Sequence, residues 1–325
     1  MQYYYSLLNE KNKKIYNSVF EGINDFDENI YTKPLAQKDL PLVFNSVIYD
    51  NPILFQTRAF RSINYPLRSQ ATISPIYNYD QDFTDQSTEV ISEYLKLFDV
   101  VKDKSDIEKE LFVHDHCLDN FKYDRQLNEH AFSVIGPVIF NTGVCEGISK
   151  FVKIALNYLG VDCIVVVGRG YNPSAGLRKS EPHMWNIVYI NGKTYHLDVT
   201  FNLTQKGNIN RYDYFNLPDN EIKKDHSYTG RVPICNTAGN DYYSLSLQAF
   251  PDLLQAEEYI KNELQDRKKS IIFKLTSTTR DSNMVDKVID ITKRQIQSIP
   301  SIFNANLLVD VRYNSKQNIF EIEIK

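Results

Sequence analysis

The chain has 325 residues, of which 42% are hydrophobic and 24% charged, and its net charge is −4. That is enough chain for one sizeable core, or a main core with one or two satellites. The acidic balance excludes the electrostatic pull that non-specific binding to nucleic acid or to an anionic membrane requires.

The two short basic runs, Lys11-Asn12-Lys13-Lys14 and Arg267-Lys268-Lys269, read as solvated helix faces. Tyrosine is abundant, 22 residues beside 18 Phe and one Trp, which points to an aromatic-rich core whose phenols need partners. No apolar run is long enough for a transmembrane helix. Met1 to Glu10 lacks the basic-then-apolar pattern of a secretory signal. The four cysteines, Cys117, Cys145, Cys163 and Cys235, form no Cys-x-x-Cys pair. Free thiols in a reducing, cytoplasm-like compartment are therefore expected.

In chain order, residues 6–21 and 37–49 read as helices, with Pro52 just past the second. Residues 53–79 mix β-favouring residues with Pro66 and Pro75 and predict short strands, some at an edge. Residues 88–101 and 105–120 have helical periodicity. Val144, Ile148, Phe151, Val152, Ala155 and Leu159 form one apolar stripe, with Gly160 where a helix ends; this is the clearest helix, 144–159. Cys163-Ile-Val-Val-Val167 reads as a buried strand, Arg169 to Pro182 as a polar loop, and residues 183–201 as a hairpin. After the irregular stretch 230–243, the pattern gives helix 252–266, strand 270–276, helix 282–297, strand 303–312 and strand 317–324. We expect an N-terminal, mainly helical extension over 1–104, a core over 105–243 and a small α/β unit over 244–325.

Asn191-Gly192, between two β-rich runs, is a strong signal for a type I′ turn. A two-residue loop pairs Ile190 with Lys193, so paired residue numbers sum to 383. Trp185 is then expected to face Asp198, and His183 to face Thr200, all on one face of the ribbon. His183 and Asp198 become diagonal neighbours with Cβ atoms roughly 7 Å apart or less. A one-residue slip would separate them. A carboxylate beside an imidazole fixes its tautomer and stabilises its cation, which is the base-and-orienter half of a catalytic triad. A structural His–Asp bond in a sheet is the other reading, and His196, on the same face, competes for the base role.

Cys145 opens the 144–159 helix behind the turn-forming Asn141-Thr142-Gly143. Unpaired N–H groups at a helix start carry partial positive charge, which favours a thiolate and leaves the Cys145 N–H free to donate to an oxyanion. A lone cysteine is otherwise a small buried hydrophobe. Its position, together with the His–Asp pair, makes Cys145 the candidate nucleophile, with His183 as base and Asp198 as orienter.

Thr142-Gly-Val-Cys-Glu-Gly-Ile resembles the Cys box of the bacterial transglutaminase-like superfamily, Glu181-Pro-His-Met-Trp-Asn-Ile-Val its His box, and Asn191-Gly-Lys-Thr-Tyr-His-Leu-Asp-Val-Thr its Asp box. The order and spacing also match, with His183 38 residues after Cys145 and Asp198 15 after that. Phe112-Val-His-Asp and Asn120-Phe-Lys-Tyr-Asp resemble the stretch before the Cys box in bacterial members. Tyr214-Phe-Asn-Leu and Lys224-Asp-His-Ser resemble a later segment of the same subgroup. The resemblance spans roughly 105–236. It implies an α+β, papain-like core in which a Cys-bearing helix packs on an antiparallel sheet carrying His and Asp. Glu146 departs from the neutral residue many relatives have after the cysteine, and it is expected to point away from the sulfur. Trp185, through its indole N–H, and Tyr123 are candidates for a second oxyanion donor.

His114-Asp115-His116-Cys117 looks like a metal cluster, but on one helix only His114 and Cys117 share a side; no metal is expected. Asp225-His226 reads as a structural contact. Gly168-Arg-Gly170 lacks the third glycine of a dinucleotide fingerprint, no dedicated calcium loop is visible, and no cofactor is expected. The expected activity is thiol acyl transfer on a peptide or protein amide. Hydrolysis is favoured over transamidation, which needs a groove that excludes water. The competing reading is a catalytically silent protein-binding module.

Overall fold

Val144 has extended dihedrals (φ −89°, ψ 177°), and from Cys145 to Tyr158 the chain is helical. Nine of the 14 residues in this helix are buried, including Ile148, Phe151, Val152, Ala155 and Leu156. They pack against Val188, Ile190, Tyr195 and Leu197 of a sheet and against Val113, Cys117 and Phe121 at the other side. Each fully buried side chain of this size contributes about 1.5–3 kcal/mol. The computed structural model describes residues 1–34, 36, 39–65, 67, 69–171, 179–277, 283–298 and 307–325.

The sheet beneath the helix has four antiparallel strands in the order Lys193–Leu197, Glu181–Ile190, Cys163–Gly170, His226–Tyr228. Asn191 (φ 51°) and Gly192 (φ 74°) both take the left-handed dihedrals of a type I′ turn. The register follows from that turn: Ile190 pairs with Lys193 and Asn186 with Leu197. The ladder then stops, which corrects the expected hairpin. Asp198 does not pair with Trp185, nor Thr200 with His183. Instead Asp198 caps a helix, Val199–Gln205, by accepting the Phe201 N–H on Oδ1 at 3.0 Å. A short carboxylate satisfies an orphan N–H at a helix start better than it sits in a strand.

The N-terminal part places helices Glu10–Asn24 and Asp39–Asp50 beside a three-stranded sheet, Ile30–Thr32, Gln70–Tyr77 and Thr57–Tyr65, around its own core of Ile15, Val19, Ile23, Phe44, Val47 and Ile73. Two of these strands, of nine and eight residues, are longer than expected. Pro75 is tolerated because Ile30–Thr32 pairs only with Ala71–Ile73, so no ladder hydrogen bond is required on that side. Helix 88–101 is instead an α-helix Gln81–Leu95 followed by a 3₁₀ turn Lys96–Val101. Helix Asp106–Asn120 starts on a Ser105–Glu108 capping box.

The C-terminal elements follow the expected order: Leu253–Gln265, Ser270–Leu275, Met284–Ser298, Val309–Asn314 and Ile319–Ile324; the strand expected over 303–312 begins only at Val309 and runs on to Asn314. A two-residue strand, Ala249–Phe250, adds a parallel edge. The predicted positions 37–38, 66, 68, 172–178, 282 and 303–306 lie outside the described residues.

Candidate active site

His183 lies on a central strand opposite Gly168. Its Nε2 is 2.6 Å from Asp198 Oδ2, and Cys145 is near enough to raise its proton affinity. With Nε2 engaged by the carboxylate, Nδ1 is the nitrogen left to serve the sulfur. Thus the three residues singled out by the turn and the helix start are brought together. The other three cysteines are buried, whereas Cys145 is half-buried. Asp198 reaches His183 from the ribbon's end, fixed from behind by its helix cap.

Burial alone would depress the His183 imidazole. The charge and hydrogen bond of Asp198, followed by the influence of the nearby Cys145, overcome that and push it up to about 10. Burial alone would raise Asp198, but the imidazoles of His183 and His226 hold it well below the usual carboxylate range. The arrangement favours an imidazolium facing the sulfur.

Two hydrogen bonds from Asn186 Nδ2, to Ser149 O at 2.9 Å and Ile164 O at 3.2 Å, pin the cysteine helix to the sheet. Gly170 lies against the imidazole: a Cβ there would come within 2.7 Å of Phe201 Cζ and 3.1 Å of His183 Cδ2. Glu146 turns away from the sulfur, as expected, though not merely toward the helix dipole. Its oxygens meet Lys150 Nζ at 2.6 Å and Arg58 Nη2 at 3.0 Å, the latter from the N-terminal sheet. Burial raises the Glu146 acid, and Lys150 and Arg58 outweigh it, so its proton affinity is lowered.

Tyr123 sits on a two-residue parallel pairing, Lys122–Tyr123 with Thr142–Gly143, which leads into Cys145. Burial first, then the nearby charges of Cys145, Glu181 and Asp198, push its phenol up to about 12. It therefore stays protonated near the sulfur. Trp185 is a correction. Its ring is fully buried, and its N–H is committed to His196 Nδ1 at 3.0 Å, so it has no donor to offer an oxyanion. That bond also settles His196: Nδ1 accepts, so Nε2–H donates to Asp219 Oδ1 at 2.8 Å. Burial depresses the His196 imidazole to about 4. It is a neutral structural ring with no contact to Asp198.

His114 is held by Asp115 and Asn202, and His116 by Tyr94. Two other groups, His183–Asp198–His226 and His196–Asp219–Cys235, place ligand atoms within 4.8 Å of one another. In the first, the 2.6 Å approach of Nε2 to Oδ2 suits a shared proton; two ligands of one tetrahedral zinc stand roughly 3.3 Å apart. In the second, a metal on His196 Nε2 would demand a proton on Nδ1, where the Trp185 N–H already points. Sequence reasoning missed the contact of His226 Nε2 with Asp198 Oδ2 at 3.0 Å. Only the Asp225-His226 dipeptide hinted at it.

The helix-on-sheet arrangement is an α+β, papain-like core. Residues 97–199 match the model of the transglutaminase-like superfamily, and this segment is a transglutaminase-like domain. Among solved structures, the chain is similar to a TGase at 14% identity (56% of this chain, 53% of that one, TM-score 0.33). It is also similar to a candidate cysteine protease from Cytophaga hutchinsonii at 15% identity (44% and 61%, TM-score 0.28). A candidate protease from Parabacteroides distasonis shows 15% identity (43% and 36%, TM-score 0.24). The chain thus spans between about a third and three fifths of the length of these structures. No curated protein matches the sequence.

Proposed function

We propose that the chain is a thiol acyl-transfer enzyme acting on a peptide or protein amide, with Cys145 as nucleophile, His183 as acid–base and Asp198 as orienter. The observation that supports this is the His183 Nε2–Asp198 Oδ2 contact at 2.6 Å, with Cys145 at the helix start near enough to raise the imidazole's proton affinity.

The Cys145 thiolate adds to the amide carbonyl carbon. The resulting oxyanion takes hydrogen bonds from the Cys145 N–H at the helix start and from the Tyr123 hydroxyl. The C–N bond breaks as His183 passes its Nδ1 proton to the leaving amine, which leaves a thioester on the sulfur. Water then attacks, with His183 taking its proton, and the acid is released. An amine in place of water gives transamidation by the same steps. Water needs no dedicated groove, so hydrolysis is the favoured outcome. The parts 1–104, 105–243 and 244–325 are proposed as extension, catalytic core and C-terminal unit.

Iodoacetamide at pH 6 tests the reading. Burial pushes Cys163 and Cys235 up to about 12 and Cys117 well above its ordinary value. Cys145 should therefore be alkylated at least about tenfold faster than these three, and His183→Ala should remove the difference. Equal, slow labelling of all four would instead make the chain a binding module. Peptide amides incubated with and without a primary amine, with Cys145→Ala as control, distinguish hydrolysis from transamidation.

A further inference from the structure

Asp198 is shared by two imidazoles. Its Oδ2 meets His183 Nε2 at 2.6 Å and His226 Nε2 at 3.0 Å, while Oδ1 is used by the Phe201 N–H. The other nitrogen of His226, Nδ1, is 2.6 Å from Asp225 Oδ1. Both nitrogens of this ring therefore face carboxylate oxygens, which only accept, so the ring must carry both protons. Asp225 is in turn held: its Oδ2 accepts the Tyr214 hydroxyl at 2.7 Å, and the Tyr214 oxygen receives Asn314 Nδ2 at 3.4 Å from the strand Val309–Asn314. His226 is 3% exposed. Nothing in a sheet requires an ion sandwich at such a desolvated position, and burying an imidazolium is costly unless two anions flank it.

We propose that His226 is a positioning residue of the triad, clamped by Asp225 so that its second N–H holds Asp198 in the orientation that His183 needs. The inference rests on the acyl-transfer reading and extends it, since it assigns Asp225, Tyr214 and Asn314 to the support of the orienter. Asp198 carries one negative charge and two cationic neighbours; His226 fixes the lone-pair direction left to His183 and keeps Asp198 from turning toward its helix. The groups that face His226 are Asp198, Asp225 and Tyr214, with His183 and Trp185 of the central strand at ring separations of 5.4 and 5.0 Å and Phe201 at 4.7 Å. The next titratable ring, His196, is neutral.

The experiment uses the full chain. Ring-nitrogen NMR of histidine-labelled wild-type protein from pH 6 to 9, with His226→Gln for assignment, should show His226 protonated on both nitrogens throughout. A neutral single tautomer would overturn the proposal, and the protonation itself is read on wild-type protein, the variant serving only to assign the signal. In parallel, Cys145 alkylation by iodoacetamide is followed against pH in wild type, Asp225→Asn and His226→Gln. Each variant should be slower at pH 6 by about tenfold. Asp225→Asn should also gain an inflection between about pH 6 and 8, because removal of one flanking anion brings the His226 proton into range; His226→Gln should lack it. A residue that only fills space would move neither feature. Wild-type rates and profiles in both variants would sink the proposal while fast wild-type labelling left the triad standing. Slow wild-type labelling of Cys145 would instead count against the triad itself.

Discussion

Glu110 shows how one buried atom can set a pH dependence. Its side chain has no exposure, and Asn216 Nδ2 donates to Oε2 at 2.8 Å. Glu110 Oε1 and Asn216 Oδ1 are both left without a partner while the acid is ionised. A proton on Oε1, given to Oδ1, serves both oxygens at once, and burial pushes the acid up to about 8. Because the folded value lies above the unfolded one, the native state holds this proton more tightly. The stabilisation is complete below about pH 4.5 and declines as pH rises toward 8. Glu110→Gln offers an amide hydrogen where the acid had its proton. It should raise stability on the order of 2 kcal/mol at pH 8 and leave it nearly unchanged at pH 5. Urea unfolding at both pH values checks this; an equal response at the two would refute the neutral acid. None of it is legible in the sequence, because Glu110 and Asn216 are 106 positions apart and Glu110 sits in an ordinary helical pattern.

At the scale of elements, local chemistry was the readable part. Asn191-Gly192 set the register of the ribbon, and the stripe from Ile148 to Leu156 located the cysteine helix to within a residue. Asp198 was placed near His183 for a partly wrong reason. Alternation carried the expected strand through 198–201, but a carboxylate followed by Phe201 forms a capped helix instead. The role of Trp185 failed similarly, since its N–H is claimed by His196, a partner that pattern reading gave a different task. His226 was invisible as a neighbour of Asp198 because a short edge strand 28 positions later delivers it. The N-terminal sheet also reaches the site through Arg58, which pairs with Glu146. Without that guanidinium, the charge of Glu146, the residue after the nucleophile, is matched by Lys150 alone. Arg58→Ala should slow Cys145 alkylation at pH 6 about threefold, and adding Glu146→Gln should restore it. An unchanged rate in Arg58→Ala would limit the pair to holding the sheet in place.

Among the described residues, the three largest apolar cores meet along seams that include buried polar groups. The cores formed by the cysteine helix, the N-terminal helices and the C-terminal strands are separate clusters. The C-terminal one is stitched to the first by groups such as Arg211. This side chain holds Asp213 through two nitrogens at 2.9 and 2.6 Å and reaches Glu321 of the last strand at 2.7 Å. Asp213 also accepts from Asn314 at 2.8 Å and from Tyr243 at 3.0 Å. The alternation of helix and strand after residue 244 was legible because each element carries its own periodicity. The seam was not, since its members are scattered from 211 to 321. Removing one partner of a buried ion cluster strands the others without water. Arg211→Met should therefore cost about 3–5 kcal/mol and separate melting of the C-terminal unit from that of the core in calorimetry. A single transition at the wild-type midpoint would show that the seam carries no coupling.

The tip of the ribbon has a consequence for how this chemistry can be lost. Asn191 and Gly192, both exposed, lie eight and nine positions from His183, roughly 25 Å along an extended strand. Yet their left-handed dihedrals set the register in which the Lys193–Leu197 strand, and Asp198 just past it, meets the strand that carries the imidazole. A single inserted or deleted residue at this tip would shift that register and take the carboxylate away from the imidazole. Function can thus be extinguished by an edit at a spot no substrate touches, with every reactive group still present in the chain.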